Sequence, residues 1–197
     1  IKVGHPETKP DVADVDEVWQ GQRPEDWRDR VDDVRFVIDS LGKLQEQYPE
    51  LKGKLDAARL GVSGHSYGAF VTMLISGART FTNGTPATYA DARVKAAVAM
   101  SPQGPSELRG LTTESWRDVR IPMMYLTGSA DTGLTDSENE PWRRQAFALS
   151  PPGDKWFVSI GGVGHLAFTG RVAAPMIAET PDPSIPMDRR DPRDQVG

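Results

Sequence analysis

The chain of 197 residues has no cysteine, only three histidines and no apolar run of 18 residues. The first absence excludes disulfides, thiolate metal sites and a cysteine nucleophile. The last leaves no candidate transmembrane helix. A run of basic residues is missing too: the net charge is −5, with acidic and basic residues interspersed, so no nucleic-acid surface is expected. What remains is 38% hydrophobic and 26% charged, the balance of one globular domain with a substantial core.

The most informative stretch is Gly64-His65-Ser66-Tyr67-Gly68, a G-x-S-x-G pattern. Arg59 to Ser63 reads as a short buried strand before it, and Ala69 to Ile75 as the first turns of a buried helix after it. A serine between the two sits on a sharp turn, its hydroxyl lifted off the sheet with a helix N-terminus behind it. The flanking glycines suit a turn whose backbone segments approach too closely for a Cβ. Glycine-rich strand-to-helix turns also bind phosphate. A phosphate loop would carry Gly-Lys-Ser/Thr or a longer glycine fingerprint, and neither is present.

Elsewhere the pattern alternates. Ile1 to Val3 could end a strand, and a polar loop follows to about Asp26. Val31, Val34, Val37, Ile38, Leu41, Leu44 and Tyr48 fall at helical spacing, predicting a helix over 27–48 with Asp26 as N-cap and Pro49 as its stop. Residues 80–90 carry the loop signal Asn83-Gly84-Thr85-Pro86. Strands are predicted over 94–100, 121–127 and 155–160, and a helix over 141–149 with proline near its first position. Residues 103–120 read as irregular, a surface loop or part of a lid. Short apolar strands alternating with helices argue for a parallel α/β sheet. After Arg171 prolines dominate and periodicity is lost, so the organisation expected is a domain over 1–171 and an extended tail over 172–197.

A serine nucleophile needs a base. His65, next to Ser66, would point away from it at a tight turn and help shape the elbow; His5 lies in the N-terminal loop. His165 follows a strand within Gly161-Gly162-Val163-Gly164-His165, at the carboxyl edge where catalytic loops gather. The third member should be a carboxylate that fixes the imidazole tautomer. Asp131, just past the strand around Met123 to Thr127, is favoured over Asp136 and Asp154. The order Ser66, Asp131, His165 is that of α/β-hydrolase triads. The backbone N–H of Tyr67 is the expected oxyanion donor; a second would come from an earlier strand and has no assigned residue. Trp116, Trp142, Phe168, Met123 and Met124 are candidate pocket apolars, although such residues are more often core.

The chain resembles the α/β-hydrolase superfamily, and within it predicted dienelactone hydrolases related to platelet-activating-factor acetylhydrolases. The resemblance lies in Gly64 to Ala69, Ser101-Pro102-Gln103-Gly104-Pro105, Leu126 to Asp131, Pro151-Pro152-Gly153-Asp154-Lys155 and Gly164-His165, across roughly residues 30 to 171. It implies an α/β-hydrolase fold with a mostly parallel central sheet flanked by helices. It also implies a Ser66–His165–Asp131 triad that cleaves small-molecule carboxylic esters without metal or cofactor. Family members usually begin with further strands and end with a helix after the histidine, so this chain is expected to be truncated at both ends and, alone, a poor catalyst. Amides, thioesters or peptides are alternative substrates for such a site. A non-catalytic binding protein of the same fold is the alternative from a different class.

Overall fold

The computed structural model describes residues 24–133, 135 and 137–169. The first helix, α1 (Pro24–Gln47), starts with proline in its first turn, where the missing N–H costs no hydrogen bond. Asp26 therefore lies inside the helix and does not cap it. The inward stripe runs Trp27, Val31, Val34 and Ile38, with the first two buried. Val37, expected in that stripe, is exposed, as is Phe36.

Strand β1 (Leu60–His65) leads directly into α2 (Tyr67–Ile75). Every residue of α2 from Ala69 to Ile75 is buried, as befits a helix that is apolar all round. Trp27 of α1 meets Phe70 of α2 edge-on, with ring centroids 5.3 Å apart. Next comes an element that the sequence reading took for loop: a hairpin of β2 (Arg79–Thr82) and β3 (Thr85–Thr88). Its turn is Asn83-Gly84, both at positive φ, a pair suited to a two-residue hairpin connection. Pro86 is accommodated because this two-stranded ribbon leaves every strand an edge.

Strands β4 (Val94–Met100), β5 (Met123–Ala130) and β6 (Lys155–Gly164) join β1 in a sheet of order β1-β4-β5-β6, parallel throughout. Helix α3 (Glu140–Ala148) connects β5 to β6 and is capped by Asn139, whose side chain accepts from the Trp142 N–H. One face of the sheet is covered: Ala97, Ala99, Met123 and Tyr125 are buried there, and Phe147 of α3 packs between Tyr125 and Phe157. On the other face Trp156, Val158 and Ile160 of β6 remain about half exposed. The expected fold class, a parallel α/β sheet flanked by helices, is the one observed.

Strand β6 is longer than expected. The glycine-rich segment 161–164 extends the strand instead of forming a free loop, with Gly164 paired to Ala130 beyond a register shift. The approach is so close at Gly128 that a Cβ there would strike the Val163 carbonyl oxygen. Backbone cannot retreat as a flexible side chain can. Gly128→Ala is therefore expected to lower the unfolding free energy by about 1–3 kcal/mol, measured by urea denaturation. The reading of residues 1–3, of His5 and of the 172–197 tail lies outside the described residues.

Candidate active site

All four sheet strands present their carboxyl ends on one edge, the position where open α/β sheets bind ligands. Ser66 follows β1, Ser101 to Gln103 follow β4, Asp131 follows β5 and His165 follows β6. Ser66 takes φ 56° and ψ −116°, a strained left-handed setting for a residue with a side chain. Surrounding hydrogen bonds hold it there. The Ser66 N–H donates to the Met100 carbonyl at 2.9 Å, and its own carbonyl accepts from the N–H groups of Ala69 and Phe70. Gln103, buried after β4, adds a fourth tie by donating Nε2 to the same carbonyl at 2.9 Å. At Gly64 a Cβ would collide with the Gly68 backbone, which gives the steric reason for the first glycine of the motif; a Cβ at Gly68 would meet nothing within 4 Å, so the close approach expected there is absent.

His165 begins a short 3₁₀ turn, His165–Thr169. Its Nε2 stands 2.8 Å from Ser66 Oγ, and its Nδ1 stands 2.8 Å from Asp131 Oδ1. Asp131 is fully buried and also accepts from Thr127 Oγ1 at 2.7 Å on its other oxygen. His65 is engaged with the backbone of His165. Its ring lies 4.8 Å from that of His165, and its Nε2–H donates to the His165 carbonyl at 2.7 Å. Burial and the nearby His165 hold the His65 imidazole below the ordinary histidine range, which suits a neutral donor.

Asp154 lies before β6, at the opposite end of the sheet, so it does not join this cluster. Asp136 lies outside the described residues. Trp116 and Met123 are core: Trp116 is buried and directs its indole N–H at the Met73 sulfur. Met124 is partly buried on β5, and Phe168 approaches His65 with centroids 5.9 Å apart. Trp142 does not line the cleft; it donates Nε1–H to the Pro105 carbonyl, with the guanidinium groups of the lining residues Arg109 and Arg143 within 6 Å of its ring.

The cleft has a volume of about 350 Å³ and is lined by Ser66, Tyr67, Gln103, Arg109, Thr132, Gly133, Glu138, Arg143, His165 and Leu166. Its charged members escaped the sequence reading. Arg109 and Glu138 form a buried ion pair at 2.8 Å. Arg143 is fully buried and bonds the carbonyls of Ser101 and Pro102 at 3.0 and 3.1 Å; its Nε lies 3.0 Å from Asp131 Oδ1. One signal was available: Arg143 shares a helical face with Ala146 and Phe147, which places a cation in an apolar stripe.

Parallel strands that feed an elbow serine, an acid and a histidine to one edge make the fold α/β-hydrolase in type. No protein-family model matches the chain. Over 125 residues, 63% of this chain, it is 25% identical to the cutinase est2 of Thermobifida alba. That match takes in 34% of the cutinase, so the chain spans about a third of this relative's length. Among solved structures, an esterase domain from a Rhodothermus marinus protein aligns at a TM-score of 0.40 and 16% identity, covering 69% of this chain and 66% of that one. A truncated carbohydrate esterase from gut microbiota aligns at 0.45 and 12%, covering 72% and 61% respectively.

Burial alone would raise the Asp131 pKa, but the hydrogen bonds from His165 and Thr127 and the charge of Arg143 outweigh it and hold the carboxyl at about 2. A folded-state value below the ordinary 3.8 means that Asp131 stabilises the fold above pH 4 and loses that contribution as the pH falls toward 2. Asp131→Asn should accordingly be less stable than wild type above pH 4. The gap should narrow by about 2–3 kcal/mol by pH 2, read from urea denaturation at stepped pH. Some acid sensitivity should survive in the variant, because the Arg93 hydrogen bond also holds Asp91 at about 2.

Proposed function

We propose that this chain carries the catalytic centre of a serine hydrolase that cleaves carboxylic esters through an acyl-enzyme intermediate. The observation that carries the reading is the unbroken relay from Asp131 Oδ1 to His165 Nδ1 and from His165 Nε2 to Ser66 Oγ, with 2.8 Å at each step. Nucleophile, base and orienting acid lie within hydrogen-bond reach in a pre-formed arrangement.

In this reading His165 takes the proton from Ser66 Oγ as that oxygen bonds to the ester carbonyl carbon. The resulting oxyanion receives the Tyr67 N–H, one of the donors that the first turn of α2 leaves without a helical partner. Collapse breaks the bond to the alkoxy group, which leaves as the alcohol with the proton from His165. Water then repeats the sequence on the acyl-serine and releases the acid. Asp131 keeps the imidazole proton on Nδ1 throughout and offsets the charge of the transient imidazolium. The likeness to a cutinase supports an ester as the bond cleaved. Within the superfamily, the phrases after β4 and β5 favour a dienelactone hydrolase-like enzyme related to platelet-activating-factor acetylhydrolases. The domain would close at about residue 171, with 172–197 as an extended tail.

Labelling with a fluorophosphonate probe tests the nucleophile, and a panel of nitrophenyl esters of rising acyl length tests the substrate. Wild type should label at one site. Ser66→Ala should abolish the label, and Ser66→Ala and His165→Ala should each cut kcat/KM by at least about 10³-fold. Label retained by Ser66→Ala would overturn the assignment.

A further inference from the structure

Arg143 is a cation built into the site at a place where the reaction itself generates positive charge. Its Nη2 lies 3.2 Å from His165 Nδ1, and its Nε lies 3.0 Å from Asp131 Oδ1, the oxygen that also faces Nδ1. One ring nitrogen cannot serve both neighbours. A guanidinium only donates, so a bond from Arg143 would need a lone pair on Nδ1, whereas a bond to Asp131 needs a hydrogen there. If Nε2 is to accept the Ser66 proton, its lone pair must face Oγ, and the ring hydrogen then sits on Nδ1. The Arg143 Nη2–H group therefore confronts a hydrogen, not an acceptor, and a full cation stands beside the ring that must become an imidazolium.

The guanidinium is not free to leave. Nη1 is anchored on the carbonyls of Ser101 and Pro102, and the residue is buried at the base of the cleft. We propose that Arg143 is a positioning residue that fixes Asp131 and opposes protonation of the His165 ring. Every charged or titratable side chain shown around the ring enters this balance. Asp131 at the end of β5 favours the protonated ring, Arg143 from α3 opposes it, and His65 at the end of β1 is held toward its neutral form. Across the cleft the buried Arg109–Glu138 pair nearly cancels itself. Arg143 is thus the cation that acts on the ring directly: it is paired with the Asp131 carboxylate and also stands against an imidazolium.

The consequence for rate rests on the serine-hydrolase reading; the effect on the ring does not. The test therefore follows the ring. Carbon-detected ring signals of the three histidines in the full chain, assigned with His165→Ala, give the titration midpoint of His165 without any turnover. In Arg143→Met and Arg143→Gln, with folding checked by circular dichroism, the midpoint should rise by roughly one pH unit. The acid limb of kcat/KM should move with it. A midpoint that stays in place while the plateau rate falls would show a purely structural role and overturn the proposal. Should both neutral variants fail to fold, Glu138→Gln decides in the opposite direction. Removing a carboxylate near the same guanidinium should lower the midpoint by roughly half a unit; no movement, or a rise, overturns the proposal. A shifted midpoint in a chain whose Ser66 takes no label would sink the esterase reading and leave this one standing.

Discussion

The buried carboxylate of Asp131 is the interaction on which the architecture of this edge depends. It has no exposure to water, and an isolated buried carboxylate would be too costly to ionise. Three elements converge to keep it charged: Thr127 from β5 itself, His165 from the end of β6 and Arg143 from α3. The carboxyl is pulled to about 2 against the penalty of burial, so those partners together exceed the cost of desolvation. Because they come from separate segments, the same charge that orients the imidazole also pins β5, α3 and β6 to one another. The geometry of the site and local folding then share one cause.

Ser66 is held by a different device. Ser66 occupies a backbone setting that a residue with a side chain rarely adopts, and such strain persists only where neighbours over-determine it. Three donors converge on its carbonyl, and its N–H is tied to β4 through Met100. Gln103 links the elbow to the loop after β4, the loop whose carbonyls at Ser101 and Pro102 seat Arg143. His65 completes the circuit by clamping the His165 carbonyl. The serine, the histidine and the acid are joined through backbone carbonyls as well as through their own side chains. Movement of one is resisted by the supports of the other two.

Much of this was legible in the sequence, for identifiable reasons. Elements with a strong local signal read well: the all-apolar helix after Ser66, the bounded run Val94–Met100, and the helix that opens near Pro141. The Asn83-Gly84 hairpin was missed because a turn signal flanked by threonines lacks the hydrophobic alternation that marks paired strands. The extension of β6 through Gly164 was missed because glycines read as loop, while the close approach of the two strands is made possible by Gly128 of β5. At the site, Ser66, Asp131 and His165 could be singled out because each follows a predicted strand and the topology brings strand ends together. Arg143, Glu138 and Arg109 could not. Their roles arise from contacts across the fold, and a charged residue in isolation reads as a solvated face.

The composition of the cleft follows from the same electrostatics. Among the described residues, four charged side chains, Asp131, Arg143, Arg109 and Glu138, lie buried within or beneath it, two of each sign. Buried charge of this density is tolerable only when paired, and the pairing here is alternate: each cation has a carboxylate beside it. Breaking a buried pair leaves an uncompensated ion, so the four are coupled in a way that pairwise deletions would not add up to describe. In the proposed reaction, a wall without net charge would add little bias for or against an anionic oxygen near the Tyr67 N–H, and would leave stabilisation of that oxygen to oriented backbone donors. The charge placed to matter in the proposed reaction is local: among the described residues it is the Arg143 guanidinium, 3.2 Å from the imidazole Nδ1.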